Sequence, residues 1–220
     1  MQNNSLWSDA LRRLLANRAA MISAVILTLL ILSAIFAPFI ATHSYAYQNL
    51  SLGATAPSAE HFLGTDTLGR DLFSRILYGA RVSLMVGFVA TFVALIIGVT
   101  WGIIAGYYGG RIDSIMMRIV DILYGLPFVI FIILLMVIFG RNIWLLFAAI
   151  GAVEWLTMAR IVRAQVITIK GLEYVQAAQA LGVPNNSLFI RHIFPNILGP
   201  IAVYATLTIP QVMLLEAFLS

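Results

Sequence analysis

Residues 173–195 read Glu173-Tyr174-Val175-Gln176-Ala177-Ala178-Gln179-Ala180-Leu181-Gly182-Val183-Pro184-Asn185-Asn186-Ser187-Leu188-Phe189-Ile190-Arg191-His192-Ile193-Phe194-Pro195. They are the longest polar-containing interruption in the apolar second half of the chain. The pattern predicts a helix, a glycine stop, a turn and a second helix. Glu173 falls in the first turn, where a negative charge suits the helix dipole. Ala177, Ala178 and Ala180 are strong helix formers that leave a low surface. Gly182 stands where a left-handed C-cap is wanted, with Pro184 just beyond it. Asn186 or Ser187 can cap the second helix, which is expected to end at Pro195-Asn196. Val175, Leu181, Leu188 and Phe189 are large apolar side chains with no evident local core. Two readings are open for them: a docking patch for another protein, or packing against the chain's own helix ends.

The segment resembles the cytoplasmic coupling loop of ABC importer permeases: Glu-Ala-Ala, three residues, Gly, nine residues, Ile-x-Leu-Pro. Here Gln176-Ala177-Ala178 leads to Gly182 and then to His192-Ile193-Phe194-Pro195 at the same spacings. Gln176, His192 and Phe194 depart from the pattern; the two alanines, the glycine and the proline match. The resemblance implies that Glu173, Gln176, Ala177, Ala178, Gly182, His192 and Pro195 couple the chain to a separate ATP-binding subunit. A second signature, Gly64-Thr65-Asp66-Thr67-Leu68-Gly69-Arg70-Asp71, is similar to the Gly-Thr-Asp-x-x-Gly-Arg-Asp segment of the C-type permease subunit of peptide and nickel importers. In that family it lies outside the cytoplasm, near the substrate-binding protein. Without the resemblance, Asp66, Arg70, Asp71, Arg75 and Arg81 read as a solvated connector held by local ion pairs.

Composition agrees with a membrane chain. Hydrophobic residues make up 61% and charged residues 10% of 220, well outside soluble usage. The net charge of +4 bears on membrane orientation more than on nucleic acid, and no nucleic-acid partner is expected. There is no cysteine, hence no disulfide framework or thiolate site. His43, His61 and His192 are scattered along the sequence and read as surface or packing residues, with no metal ligand set expected.

The expected fold is an all-α membrane protein, a polytopic helical bundle of the type I ABC importer permease kind. Residues 1–18 form an amphipathic cytoplasmic segment, with Leu6, Trp7, Leu11, Leu14 and Leu15 at helical spacing. Residues 19–41 are the first transmembrane helix, long enough to cross at ~20 residues. Residues 42–81 are an extracytoplasmic loop. Residues 82–220 are the permease core, with spans at about 82–107, 115–139, 143–161 and 197–219 and a coupling loop at 164–196. Gly98, Gly102 and Gly106 share one face of the second span and permit close helix contact, within the bundle or with a second permease. Pro127 should kink or break the third span. Arg118 and Asp121, three apart, can pair on one helical face. Five spans are present; relatives continue into a sixth, and the chain reads as a fragment or a C-terminally shortened form.

Glu154 lies near the middle of the fourth span, where a carboxyl costs about 2.5–3.5 kcal/mol unless paired, protonated or wet. It is a candidate for the translocation path, with Asp121 and Glu216 as weaker ones; a buried structural pair is the alternative for each. Arg12, Arg13, Arg18, Arg111, Arg118, Arg160, Arg163, Lys170 and Arg191 fall on one side of this topology, against Arg70, Arg75, Arg81 and Arg141 on the other. That bias places the N-terminus and the 173–195 loop in the cytoplasm. No Gly-x-x-x-x-Gly-Lys-Ser/Thr loop occurs, and no catalytic constellation lines up. The chain is therefore not expected to be an enzyme or to bind a cofactor.

The expected function is that of a multi-pass inner-membrane permease subunit, most similar to the oligopeptide permease C branch. The resemblance implies a second homologous permease, two ATP-binding subunits that carry ATP and Mg, an extracytoplasmic peptide-binding protein, a peptide substrate and membrane lipid around the spans. A dipeptide or nickel permease of the same family is the near alternative. A channel or membrane scaffold that needs no ATPase is the far one.

Overall fold

A computed structural model describes residues 6–140 and 143–219. Its regular elements are helical, and they fall into two compact units, Met1–Leu84 and Met85–Ser220.

The first unit opens with α1 (Leu6–Ala16), whose Leu11, Leu14 and Leu15 are exposed. The side chains of Leu6 and Trp7 lie outside the described residues. Asn17 ends α1 and caps α2 (Arg18–Ile35): its Oδ1 accepts from the Ala20 amide at 3.2 Å, satisfying a donor the helix leaves free. The expected 19–41 span is interrupted at Phe36, after which α3 (Ala37–Ile40) begins with Pro38 in its first turn, where proline's missing N–H costs nothing.

The loop that follows is held by its own polar groups. Thr65 is buried and bridges to Asp71. Its Oγ1 donates to the Gly53 carbonyl at 2.7 Å and accepts from the Thr55 amide at 2.9 Å. Asp66 accepts from the Leu68 and Arg70 amides at 2.9 and 3.0 Å, from Arg70 Nε at 2.8 Å, and from Arg75 Nη1. Gly69 has φ +68, and a Cβ there would meet the Asn49 carbonyl oxygen at 1.9 Å. Only glycine serves at that crossing. The second signature is thus a clasp for its own loop. Helix α4 starts at Leu72, ahead of the expected 82, and runs to Tyr108.

In the second unit α4 continues into α5 (Gly110–Tyr124), α6 (Phe128–Phe139) and α7 (Ile143–Lys170). The expected third span is broken at Gly125-Leu126-Pro127, because Pro127 can neither donate to the ladder nor let Leu126 stay helical. Arg141 and Asn142, read as a tight return, lie outside the described residues. Gly98, Gly102 and Gly106 abut α7: a Cβ on Gly98 would sit 2.6 Å from Met158 Cβ, and one on Gly102 2.6 Å from the Ala159 carbonyl oxygen. The glycine face packs inside the chain. Trp101 and Trp155 meet edge to face at 5.2 Å, and Trp101 Nε1 donates to the Met116 carbonyl at 3.2 Å.

The chain closes with α8 (Glu173–Ala180), α9 (Asn185–Leu188), a π turn (Phe189–Ile193) and α10 (Phe194–Leu219). Pro195 was expected to end the second hairpin helix and does not: the helix runs on from Asn185 to Phe218. The π turn supplies the reason. It loosens the hydrogen-bond ladder just before Pro195, where the ring would otherwise press on the carbonyl one turn back. Among the described residues, three helices are long and apolar enough to cross a membrane: Arg18–Ile35, Leu72–Tyr108 and Asn185–Phe218.

Candidate coupling hairpin and intramembrane acids

The hairpin begins where α7 stops. Gly171 and Leu172 turn the chain, and Gln176 Nε2 donates back to the Gly171 carbonyl at 3.3 Å. Glu173 occupies the first turn of α8, facing the dipole as its charge requires.

The other end of α8 is a Schellman cap. The Gly182 amide donates to the Gln179 carbonyl at 3.0 Å, and the Val183 amide to the Ala178 carbonyl at 3.2 Å. Gly182 has φ +79, as the cap demands. A Cβ on it would meet nothing within 4 Å. Backbone conformation, not crowding, is what calls for glycine there.

Of the four apolar residues left open by the sequence, three turn inward. Val175 (1% exposed) and Leu188 are buried with Ile193, Met158, Val162, Val166, Ile169, Ile197 and Ile201, and Phe189 packs against that cluster. Burying a Val or Leu side chain contributes roughly 1.5–3 kcal/mol, so the hairpin is welded to the ends of α7 and α10. Leu181 alone among them stays out, 85% exposed. Tyr174 and Ile190 are also exposed; sequence reading passed over both. Ala177 is exposed and Ala178 half-buried.

Polar clamps hold the hairpin to α4. Tyr107 Oη donates to the Asn185 carbonyl at 3.0 Å, and Lys170 Nζ donates to the Tyr107 carbonyl at 2.6 Å. Tyr107 and Phe189 stack edge to face at 5.7 Å. His192 lies 6.2 Å from the Tyr174 ring, and Asn196 Nδ2 donates to both the His192 carbonyl (2.7 Å) and Tyr174 Oη (3.3 Å). Position 192 therefore belongs to the hairpin's own packing.

The three acids part company. Asp121 was expected to pair with Arg118 but takes Arg160 Nη2 of α7 at 2.7 Å, and Arg160 lies 4.2 Å over the Tyr124 ring. It is exposed, because α5 turns that face outward. Glu154 and Glu216 are each 7% exposed. Asp113, which sequence reading did not single out, receives both Nε and Nη2 of Arg163, the latter at 2.6 Å. This bidentate pair ties α5 to α7 fifty residues apart in sequence, a distance over which helical spacing says nothing.

A further convergence lies on the loop of the first unit. His43 and His61, read as isolated, have ring centroids 4.6 Å apart, and His61 Nδ1 lies 3.0 Å from Asp71 Oδ1.

The sequence is similar to those of known proteins. Residues 98–220 match the family of binding-protein-dependent transport system inner membrane components. Residues 5–57 match the N-terminal transmembrane domain of oligopeptide transport permease C. The chain is 45% identical to an oligopeptide transport system permease protein OppC of Haemophilus influenzae, over 100% of this chain and 71% of that protein. It is 47% identical to the OppC protein of Escherichia coli K12, over 100% of this chain and 74% of that one. It is 46% identical to a dipeptide transport system permease protein DppC of Bacillus subtilis, over 98% and 68%. On the family match over residues 98–220 and the 45–47% identity along the whole chain, the chain belongs to the binding-protein-dependent ABC importer permeases, in the oligopeptide permease C group.

Proposed function

We propose that this chain is one of two permease subunits of an importer for oligopeptides, and that its 173–195 hairpin passes the work of ATP hydrolysis to the spans. The observation that carries the reading is the two-sided hairpin. Val175, Leu188 and Ile193 are buried among α7 and α10 residues, while Tyr174, Leu181 and Ile190 remain exposed. A body so built moves as one piece with the helices it is welded to, and it offers an apolar tip to a partner. Exposed apolar surface gathered on one hairpin is the kind of patch that marks a contact site, and this reading takes Tyr174, Leu181 and Ile190 as that patch.

In this reading the partner is an ATP-binding subunit, which holds ATP and Mg; two such subunits, a homologous second permease and an extracytoplasmic peptide-binding protein complete the assembly. Glu173, Gln176, Ala177, Ala178 and Gly182 shape the docking helix; His192 and Pro195 set the passage into α10. The chain crosses the inner membrane five times with its N-terminus in the cytoplasm, following the arginine bias. Glu154 and Glu216 face the path or brace it, and Asp121, paired to Arg160, belongs to the bracing. The similarity to a dipeptide permease at the same level of identity supports a second reading in which the cargo is shorter.

The test is co-purification in mild detergent of this chain with its neighbouring permease and ATPase, together with ATPase assays driven by a binding protein loaded with peptides of two to eight residues. Retention of the ATPase, lost on Leu181→Asp, with stimulation by the longer peptides, is the expected result. Stimulation by dipeptides alone selects the second reading. Failure to retain any ATPase sinks the coupling role and returns the channel or scaffold reading.

A further inference from the structure

The loop between α3 and α4 gathers three metal-ligating side chains from three separate stretches, and the proposed transport role uses none of them. The candidate ligand atoms of His43, His61 and Asp71 all lie within 4.8 Å of one another. We propose that these three residues form a binding site for a divalent transition-metal ion of the zinc class.

The site is built rather than fortuitous. Asp71 is 2% exposed, and its Oδ2 accepts from the Ser74 amide at 2.8 Å, which fixes the carboxylate at the start of α4 and leaves Oδ1 turned to His61. The same buried Ser74 accepts the His43 amide on its Oγ at 3.2 Å. One residue thus orients the backbone or side chain of two of the three donors. The two imidazoles lie 4.6 Å apart with their planes 32° from parallel.

Donor chemistry selects the ion. Two imidazole nitrogens and one carboxylate oxygen suit Zn²⁺ and its first-row neighbours, and suit Mg²⁺ or Ca²⁺ poorly, since those prefer oxygen alone. Donors bound at ~2.0–2.2 Å to one ion stand about 3–3.5 Å apart. His61 Nδ1 and Asp71 Oδ1 are at 3.0 Å already; the His43 donor lies within 4.8 Å of both, and its ring, whose Nδ1 is 3.1 Å from Thr42 Oγ1, must draw in to complete the set. The pocket they line also carries Tyr47 and Glu60, which gives room for a water ligand and a second carboxylate. Binding replaces the His61–Asp71 hydrogen bond: with the imidazole proton on Nε2, Nδ1 presents its lone pair to the ion beside Asp71 Oδ1. The ion then cross-links the end of α3, the middle of the loop and the start of α4.

The experiment uses the whole chain in detergent, stripped with a chelator and titrated with Co²⁺, whose visible bands report nitrogen and oxygen ligation, followed by competition with Zn²⁺. One Co²⁺ per chain, displaced by Zn²⁺, is expected. His43→Asn should weaken binding at least tenfold, with the visible bands lost, while the His61–Asp71 hydrogen bond keeps the loop resistant to trypsin at Arg70 and Arg75. His61→Asn should do the same to the metal, and His192→Asn should leave it unchanged. The proposal is overturned if the wild type, with a trypsin-resistant loop, shows no saturable Co²⁺ binding. It is equally overturned if His43→Asn binds as the wild type does, or if His192→Asn is the variant that loses the ion; the three groups are then a hydrogen-bonded histidine–aspartate couple and a stacked ring.

Discussion

The amide of Val183 donates to the carbonyl of Ala178 at 3.2 Å across the Gly182 bend, so the end of α8 is closed before the chain turns toward α9. Both residues also pack on the core cluster of Val162, Val166 and Ile197. The cap and the packing therefore support each other, and the exposed Leu181 is held between them.

Gly182 is wanted for its φ of +79 and not for space. Substitutions there should rank by tolerance of left-handed backbone. Gly182→Asn should keep most transport, whereas Gly182→Val should cost about 1–2 kcal/mol of hairpin stability and uncouple ATP hydrolysis from uptake. Paired ATPase and uptake assays check this; equal behaviour of the two variants would remove the backbone explanation.

The α4–α7 contact gives an opposite kind of glycine. A Cβ on Gly102 would lie 2.6 Å from the Ala159 carbonyl oxygen and 2.8 Å from Val162 Cβ. Gly102→Ala should destabilise the chain by about 1–3 kcal/mol through overpacking. Gly79→Ala, on the same helix with nothing within 4 Å of the new carbon, should be neutral or stabilise by roughly 0.5–1 kcal/mol. Thermal unfolding in detergent separates them.

Desolvation pushes the Asp66 carboxyl up, but the Arg70 amide, the Arg70 side chain and the Leu68 amide outweigh it and bring its pKa from 3.8 to about 2. A carboxyl depressed in the folded state contributes stability above its unfolded value and loses it as pH falls. The 41–71 loop should hold its protease resistance down to about pH 4 and lose it progressively toward pH 2. Asp66→Asn should flatten that pH dependence in part, the remainder resting on Asp71, which desolvation pushes up but the Ser74 and His61 hydrogen bonds hold below its ordinary value; a wild-type loop that opens well above pH 4 would point to a different group.

Glu154 is buried in α7 while Asp121 is exposed and paired. If Glu154 meets the cargo, Glu154→Gln should raise the KM for peptides with a free amino terminus about tenfold, the size of a ~1.4 kcal/mol interaction, and leave N-acetylated peptides unaffected. An equal effect on both classes would assign Glu154 to bracing.

Much of this was legible in order along the chain. Glu173 as a first-turn acid, Gly182 as a left-handed cap and Pro127 as a break depend on a few neighbouring residues, and local sterics decide them. The glycines at 98, 102 and 106 declared a close-packed face, though not which helix would meet it. The end of the hairpin helix was misjudged at Pro195 because a π turn upstream absorbs the proline, and nothing in residue type announces a π turn.

What lay beyond the sequence is a matter of partners far away in the chain. Asp121 finds Arg160 rather than Arg118, Asp113 finds Arg163, and His43 finds His61 and Asp71. Composition and periodicity by themselves determined that this is a helical membrane chain with a capped polar hairpin, because burial in lipid requires each span to satisfy its own backbone. Only the tertiary structure decided which face of the hairpin is buried and which is exposed, and which charges meet. Those outcomes depend on how helices cross, and helix crossing is settled by side-chain packing between elements that sequence order keeps apart.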